Sequence, residues 1–256
     1  MYQIIAYIKF LLKSTNQHGV HSPFVYDFIT KCLYDKTPYE AYGKLKAYRK
    51  AILQSKDTLE IIDFGVGSKR MNANKRKVSK MIKNSSSSFK DTKLLFRIAQ
   101  YFQFKNTLEL GTSLGVGTQA LALGYTDNQI TTIEGCPNTL SFTKEQFKAF
   151  KLQNITLINS DFKSTIDKLE DTYFDCIFFD GHHNKEATLE YFNQLISKAH
   201  NDSIFIFDDI YWSKDMTQAW RNIISDSRVT ASVDCFNLGF VFFRKEQPKQ
   251  HFTIRL

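Results

Sequence analysis

The sequence predicts an α/β fold in which helices cover a mostly parallel sheet. From residue 106 onward, apolar strand-like segments alternate regularly with helix-like segments. This alternation is typical of a buried parallel sheet. Four of the strand-like segments end in an acidic residue or have one just beyond their last residue. The last two strand-like segments, residues 229–237 and 238–245, are joined by a short turn, which predicts an antiparallel hairpin.

The elements of this α/β region follow from their apolar periodicity. The predicted strands cover residues 107–110, 129–133, 155–159, 174–179 and 203–207. The predicted helices cover residues 116–125, 138–151, 184–199 and 214–227. In such a sheet, ligands bind at the carboxyl ends of the strands.

The first part of the chain has a different pattern. Residues 1–93 are predicted to form a helical extension, and residues 94–256 the α/β domain. Helix periodicity is found at residues 1–13, 24–34, 41–54 and 93–104. A second strand-then-glycine segment at residues 59–69 lacks the spacing of a P-loop. The basic residues 69–83 that follow are predicted to be a lid-like loop, since they lack apolar periodicity.

Composition narrows the class of protein. No apolar run approaches the roughly 20 residues that cross a bilayer, so no membrane span is expected. The four cysteines are scattered, without a C-x-x-C pair, which is typical of a reduced, cytoplasmic protein without a zinc cluster. The formal net charge of +8 is compatible with nucleic acid or anionic substrates and with many other enzymes. The sequence leaves a homodimer open.

The segment TLELGTSLGVGTQALA, residues 107–122, is typical of a strand, a tight turn and a helix that bind a nucleotide. It also contains the dinucleotide-binding form G-x-G-x-x-A, from Gly115 to Ala120. Glu134 follows the second strand and can accept hydrogen bonds from ribose hydroxyls. Because NAD-dependent enzymes use this position too, Glu134 does not show which nucleotide is bound. Glu109 suits an amino-acid ammonium group better than a pyrophosphate, and Asp161 lies where an adenine amino group could be bound.

These residues resemble class I S-adenosylmethionine (SAM)-dependent methyltransferases. The run from Glu109 to Gly115 is similar to motif I of that family, E/D-x-G-x-G-x-G, with Ser113 in place of the middle glycine. The resemblance implies a Rossmann-like, doubly wound, mostly parallel seven-stranded sheet with an antiparallel C-terminal hairpin. The cofactor-binding residues that it implies are Glu109, Gly111, Thr112, Ser113, Gly115, Gly117, Glu134, Gly135, Asp161, Phe162 and Asp180.

Acidic residues also follow the fourth and fifth strands. Asp180 closes one of these strands, and Asp208 and Asp209 close the next. If these strands are neighbours, the three carboxylates converge, and a divalent cation such as Mg²⁺, Mn²⁺ or Ca²⁺ removes their repulsion. The arrangement resembles cation-dependent O-methyltransferases. The D-G-x-H spacing makes His183 the expected general base, and His182 is equally close in sequence.

Several functions remain open from the sequence alone. We expect O-methylation of a small-molecule hydroxyl, with His183, His182 and Asp180 as candidate catalytic residues. An RNA methyltransferase that uses the basic segment 69–83 is an alternative, although no RNA-binding module is visible. An NAD-dependent oxidoreductase and a scaffold with a degenerate cofactor site are further alternatives.

One more segment is prominent in the N-terminal part. The segment HGVHSPF, residues 18–24, resembles a methyltransferase-like group of Bacteroidetes, as does the stretch DFGVGS. A metal site at His18 and His21 is conceivable, but a loop packed over an active site or a partner subunit is favoured.

Overall fold

The computed structural model describes residues 1–62, 74–84, 87–169 and 172–256. The helices, in chain order, are α1 (Tyr2–Lys13), α2 (Pro23–Phe28), α3 (Ala41–Gln54), α4 (Val78–Asn84), α5 (Phe89–Phe102), α6 (Val116–Gly124), α7 (Pro137–Ala149), α8 (Phe162–Ile166), α9 (Lys185–Leu195) and α10 (Lys214–Ser225). The strands are β1 (Thr58–Ile61), β2 (Asn74–Lys77), β3 (Asn106–Leu110), β4 (Gln129–Glu134), β5 (Ile155–Asn159), β6 (Phe174–Phe179), β7 (Ala199–Asp208), β8 (Ala231–Asp234), β9 (Leu238–Phe242) and β10 (Gln250–Thr253).

The chain divides into two compact units. The terminal unit combines Met1–Asp35 with Leu169–Leu256, and the central unit is Lys36–Lys168. The sequence predicts a boundary between residues 93 and 94, which separates the helical extension from the α/β domain. This boundary stays a prediction.

Local sequence chemistry accounts for several helix boundaries. α5, α9 and α10 begin after Ser88, Asn184 and Ser213, whose side chains each accept a hydrogen bond from a backbone N–H of the first turn. Such caps satisfy N–H groups that have no partner within the helix. α7 begins with Pro137, which lacks the N–H that would otherwise be unpaired at that position.

The sheet has the predicted mixture of parallel and antiparallel strands. In the central unit, β3, β4 and β5 are parallel neighbours in that order. In the terminal unit the order is β10-β8-β9-β7-β6, with β6 parallel to β7 and with β9 antiparallel to both β7 and β8. The α/β class and the antiparallel C-terminal hairpin are therefore confirmed.

Besides the β1–β2 hairpin, the described part of the chain has three strands in the central unit and five in the terminal unit, one more in all than expected. The additional strand, β10, pairs in parallel with β8. Its sequence, QHFT, has a single large apolar residue, so neither apolar alternation nor a turn motif marks it as a strand.

The N-terminal helices belong to the core of the terminal unit. The Phe28 ring of α2 lies 5.5 Å from Phe240 and 5.6 Å from Phe242, both in β9. The Tyr2 hydroxyl of α1 donates a hydrogen bond of 2.7 Å to Thr217 in α10. Residues 1–35 are thus part of this unit's packing. None of the helices in the described ranges is long and apolar enough to cross a membrane.

The basic segment after β1 is partly ordered secondary structure. β2 pairs with β1 as an antiparallel hairpin, and α4 follows it. Val78 and Ile82 are fully buried against Tyr48 and Ile52 of α3, while the charged residues 75–77 are exposed. The prediction of a loop was therefore wrong for residues 74–83, because two buried apolar side chains suffice to dock this short helix. Residues 63–73, which include the second glycine segment, Lys69 and Arg70, lie outside the described residues.

The backbone at Gly115 is fixed by its neighbours. This residue precedes α6 with φ +71°, a left-handed conformation that disfavours side chains. A Cβ atom at this position would overlap the Phe147 ring and lie 2.7 Å from the Tyr48 hydroxyl oxygen. Gly115 therefore allows α3 and α7 to pack closely against the start of α6.

We expect Gly115→Ala to lower the free energy of unfolding by about 2–5 kcal/mol, because it adds left-handed strain and overpacking. Gly43→Ala is the matched control, since Gly43 lies in α3 and a Cβ there meets nothing within 4 Å. The control should stabilise the protein by about 0.5–1 kcal/mol. Urea unfolding of both variants measures the two effects. Equal stability of the two variants would refute this packing account.

Candidate functional site

The turn after β3 has an unusual backbone. Gly111, Ser113 and Gly115 have φ angles of +108°, +46° and +71°. The N–H groups of Gly111 and Thr112 both donate to the Ile133 carbonyl of β4, at 3.0 and 3.2 Å. Ser113 occupies the position where motif I has its middle glycine, so a serine here is held in a conformation that glycine adopts more easily.

Glu134, at the end of β4, holds this turn in place. Its carboxylate accepts hydrogen bonds from the N–H of Ser113 at 2.9 Å and from the N–H of Cys136 at 2.8 Å. The Ser113 carbonyl in turn accepts a bond of 2.7 Å from the Thr143 hydroxyl. Burial raises the pKa of Glu134, and the two N–H donors oppose this shift. These bonds compensate the strain at Ser113 and fix the Glu134 carboxylate beside the turn.

Glu109 is completely enclosed in the central unit. One of its carboxylate oxygens accepts hydrogen bonds from the hydroxyls of Thr118 at 2.5 Å and Thr132 at 2.6 Å. Burial raises its pKa to about 7, and the two threonine donors oppose the rise. The motif identified Glu109, but nothing in it indicated Thr118 or Thr132, because these partners come from α6 and β4.

Asp161 follows β5, at the same edge of the sheet as Glu134. Its side chain accepts a 2.8 Å hydrogen bond from the Ser164 N–H and thereby caps α8. Hydrogen bonds from Ser164 lower the pKa of Asp161, whose side chain is exposed. The next residue, Phe162, is buried. A helix cap explains Asp161 structurally, and its predicted contact with adenine stays a prediction.

Asn159 is a residue of this edge that the sequence did not indicate. Its amide nitrogen donates to the carbonyls of Glu134 at 2.8 Å and Gly135 at 3.0 Å. It therefore connects the end of β5 to the end of β4. Together with the turn after β3, the ends of all three parallel strands in the central unit are linked by hydrogen bonds.

The second group of predicted site residues lies in the terminal unit. Asp180 and Asp208 follow the paired residues Phe179 and Phe207 of β6 and β7, so they lie at neighbouring strand ends. The His183 Nε2 atom lies 3.8 Å from a carboxylate oxygen of Asp209. Burial lowers the pKa of His183, and the charge of Asp209 opposes that shift. The structure thus places a half-buried histidine beside a carboxylate.

The two adjacent histidines differ in their surroundings. His182 has φ +49°, and its Nδ1 atom is 3.1 Å from the Tyr191 hydroxyl of α9. His183 instead faces Asp209, with the Trp212 ring 6.3 Å away. The sequence could not separate the two, because the direction of each side chain depends on the left-handed backbone at His182.

The expected metal site is not assembled. Across the described residues, no group of three or more His, Cys, Asp or Glu side chains is arranged to hold a metal ion. The convergence of Asp180, Asp208 and Asp209 as ligands of a divalent cation therefore stays a prediction. Asp209 has a left-handed backbone, φ +54°, and its carboxylate faces His183.

The HGVHSPF segment has a local structural role. The Asn16 side chain caps the short helical turn that contains His18. The Ser22 side chain caps α2, which begins with Pro23. His18 and His21 are exposed.

Comparisons with known proteins agree with this geometry. Residues 108–210 match the family model described as a methyltransferase domain. This range contains the glycine turn, Glu134, Asp161 and both acid-terminated strands of the terminal unit. Residues 108–210 are thus similar to a methyltransferase domain. No curated protein matches the sequence.

Solved structures share the fold of this chain. The SAH-bound methyltransferase PaMTH1 of Podospora anserina is 15% identical, with 88% of this chain and 97% of that chain covered and a TM-score of 0.60. The O-methyltransferase of Bacillus cereus in complex with SAH is 14% identical, with 84% and 96% covered and a TM-score of 0.55. TomG, a SAM-bound O-methyltransferase of Streptomyces achromogenes, is 15% identical, with 90% and 99% covered and a TM-score of 0.56.

These matches confirm the resemblance to class I SAM-dependent methyltransferases. The similarity to a Bacteroidetes group stays a prediction.

We expect the buried Glu109 to make the stability of the protein depend on pH. A carboxyl group with a pKa of about 7 in the folded state and 4.5 as its ordinary value binds its proton more tightly when folded. Its contribution to stability is therefore lost as the pH rises from about 4.5 to 7. The shift corresponds to on the order of 3 kcal/mol.

Urea unfolding at pH 5 and pH 8 checks this expectation. Glu109→Gln should lose less stability than the unmodified protein between these pH values. Glu145→Gln, at an exposed position of α7, serves as the control and should retain the full pH dependence. If Glu109→Gln and the unmodified protein lose equal stability, Glu109 does not titrate as described.

Proposed function

We propose that this protein is a SAM-dependent methyltransferase that methylates a hydroxyl group of a small molecule. The observation that carries the proposal is the linked glycine turn of the central unit. There, the Glu134 carboxylate accepts a hydrogen bond from the Ser113 N–H in the turn after β3. Both residues lie in the range that matches a methyltransferase domain. This arrangement presents a fixed carboxylate beside a turn rich in backbone N–H groups.

The donor would be held by residues of the central unit. The Glu134 carboxylate has acceptor capacity beyond its two backbone partners, and it would accept hydrogen bonds from the ribose hydroxyls. Glu109 would provide negative charge for the amino-acid ammonium group. Asp161 and Phe162 would bind the adenine, and Gly111, Thr112, Gly117 and Gly135 would provide backbone contacts. SAM supplies an electrophilic methyl group on a cationic sulfur when it is bound.

His183 is the proposed general base. Methylation of a hydroxyl breaks the methyl carbon–sulfur bond and forms a carbon–oxygen bond, and the hydroxyl proton must leave. Because burial lowers its pKa, the neutral form of His183, which can take this proton, is favoured. Asp209, 3.8 Å away, would orient the ring and stabilise the imidazolium that forms. His182 contacts Tyr191 and is less suited to this role.

The proposed mechanism contains no metal-dependent step. Asp180, Asp208 and Asp209 would be the ligands of a divalent cation, but their arrangement in the described structure does not fit one. We propose that Asp209 serves His183 instead. RNA methylation is the weaker alternative, since the described part of the basic segment, residues 75–83, is a strand and a docked helix.

Transfer of label from methyl-labelled SAM to compounds of a metabolite extract tests the proposed function. The account predicts a labelled small molecule whose label is stable to the conditions that hydrolyse esters. The yield should not change after exhaustive chelation with EDTA. Label found only in RNA would favour the alternative. Loss of transfer on chelation, with recovery on addition of Mg²⁺ or Mn²⁺, would restore the three aspartates as metal ligands.

We expect His183→Gln to lower kcat by about 10²-fold or more at pH 7, because general-base catalysis contributes 10²–10⁴-fold. The pH profile provides the sharper measurement. In the unmodified enzyme, activity should fall only below the ordinary histidine pKa, since burial lowers the pKa of His183. Asp209→Asn removes a charge that raises this pKa, so it should move the acidic limb to lower pH and reduce the plateau.

His200 and Asp175 provide the matched control. They form a second histidine–carboxylate pair of the terminal unit, with 2.9 Å between Nε2 and Oδ1. His200→Gln should leave kcat and the pH profile unchanged. Full activity of His183→Gln, or an acidic limb that does not move in Asp209→Asn, would remove His183 from the mechanism.

A further inference from the structure

The terminal unit contains a cavity that the proposed methyl transfer does not use. It lies between α1, α10 and the ends of β8 and β10, and its volume is about 530 Å³. Aromatic rings of Tyr2, Phe10, Tyr211 and Trp220 form part of its wall. A concave space of this size with aromatic rings in its wall is typical of sites for small organic molecules.

The charged residues around this cavity are mostly basic. Lys9 and Lys13 of α1 and Lys214 and Arg221 of α10 all line it. Within the described parts of the chain, none of the four forms an ion pair. These four exposed cations outnumber the one acidic residue of the lining, and a bound anion would reduce the repulsion among them.

The one acidic residue of the lining does not neutralise these cations. Asp234 is 2% exposed, and its carboxylate accepts hydrogen bonds from the Tyr211 hydroxyl at 2.7 Å and the Phe236 N–H at 2.9 Å. This carboxylate therefore fixes the cavity wall. The Tyr211 ring in turn stacks on Phe236, with 4.9 Å between the ring centroids.

We propose that this cavity is a binding site for a small aromatic anion, that is, a flat apolar body that carries a carboxylate, sulfonate or phosphate group. The aromatic walls contact the body, and the lysines and Arg221 bind the anionic group at the rim. Arginine and lysine recognise such groups by charge-assisted hydrogen bonds. The site is independent of the methyl-transfer proposal, because it shares no residue with the donor or base residues named above.

A fluorescent probe tests the site directly. The probe is 8-anilinonaphthalene-1-sulfonate, an aromatic sulfonate, and its neutral counterpart N-phenyl-1-naphthylamine has nearly the same body without the charge. We expect saturable binding of the sulfonate with one site per chain. The variant Lys13→Gln/Arg221→Gln should weaken this binding about tenfold and should leave binding of the neutral compound unchanged.

Control variants exclude trivial explanations. Lys50→Gln/Lys56→Gln changes the net charge equally at exposed positions of the other unit, and it should alter binding less than twofold. Ile4→Ser/Leu12→Ser removes exposed apolar side chains of α1 that do not line the cavity, and it should also have little effect. Gln218→Trp, at an exposed position of the cavity wall, should block binding.

Three outcomes would overturn the proposal. The first is equal weakening by the two charge variants, which would indicate general electrostatic attraction. The second is loss of binding in Ile4→Ser/Leu12→Ser alone, which would place the probe on the outer face of α1. The third is binding of the sulfonate that does not saturate.

Discussion

The left-handed backbone at Gly115 is the constraint on which the candidate donor site depends. Because this residue has no Cβ, the rings of Tyr48 and Phe147 approach the start of α6 directly. The Tyr48 hydroxyl also donates a 2.9 Å hydrogen bond to the Leu114 carbonyl. Side chains of α3 and α7 thus pack against the turn after β3. The N–H groups of this turn donate hydrogen bonds to the Glu134 carboxylate and to the Ile133 carbonyl of β4.

Burial shifts the pKa of titratable groups in opposite directions in the two units. In the central unit, burial raises the pKa of both Glu109 and Glu134, so a cationic ligand would favour their ionised forms. In the terminal unit, burial lowers the pKa of His183, which keeps a neutral base available. The proposed methyl donor is cationic and would favour ionised Glu109 and Glu134. A neutral His183 can take a hydroxyl proton.

Much of the fold could be predicted from the sequence, since apolar periodicity and the glycine turn are local signals. β2, α4 and β10 could not, because each depends on pairing or docking with a distant segment. The candidate site could likewise be predicted only where its signals are local in the sequence. Motif spacing identified Glu109, Glu134 and His183, whereas the direction of the Asp209 carboxylate depends on its positive φ. The supporting Tyr48, Thr118 and Asn159 come from elements outside the motif.

Calorimetric titration with SAH and with NADH tests the central claim most directly. The account predicts that SAH binds with one site per chain and that NADH gives no binding heat. Glu134→Gln should weaken SAH binding by roughly 10- to 100-fold, because hydrogen bonds to a charged group contribute about 1.5–3 kcal/mol. The far-ultraviolet circular dichroism of this variant would show that it remains folded. Binding of NADH, or unchanged SAH affinity in a folded Glu134→Gln protein, would contradict the account.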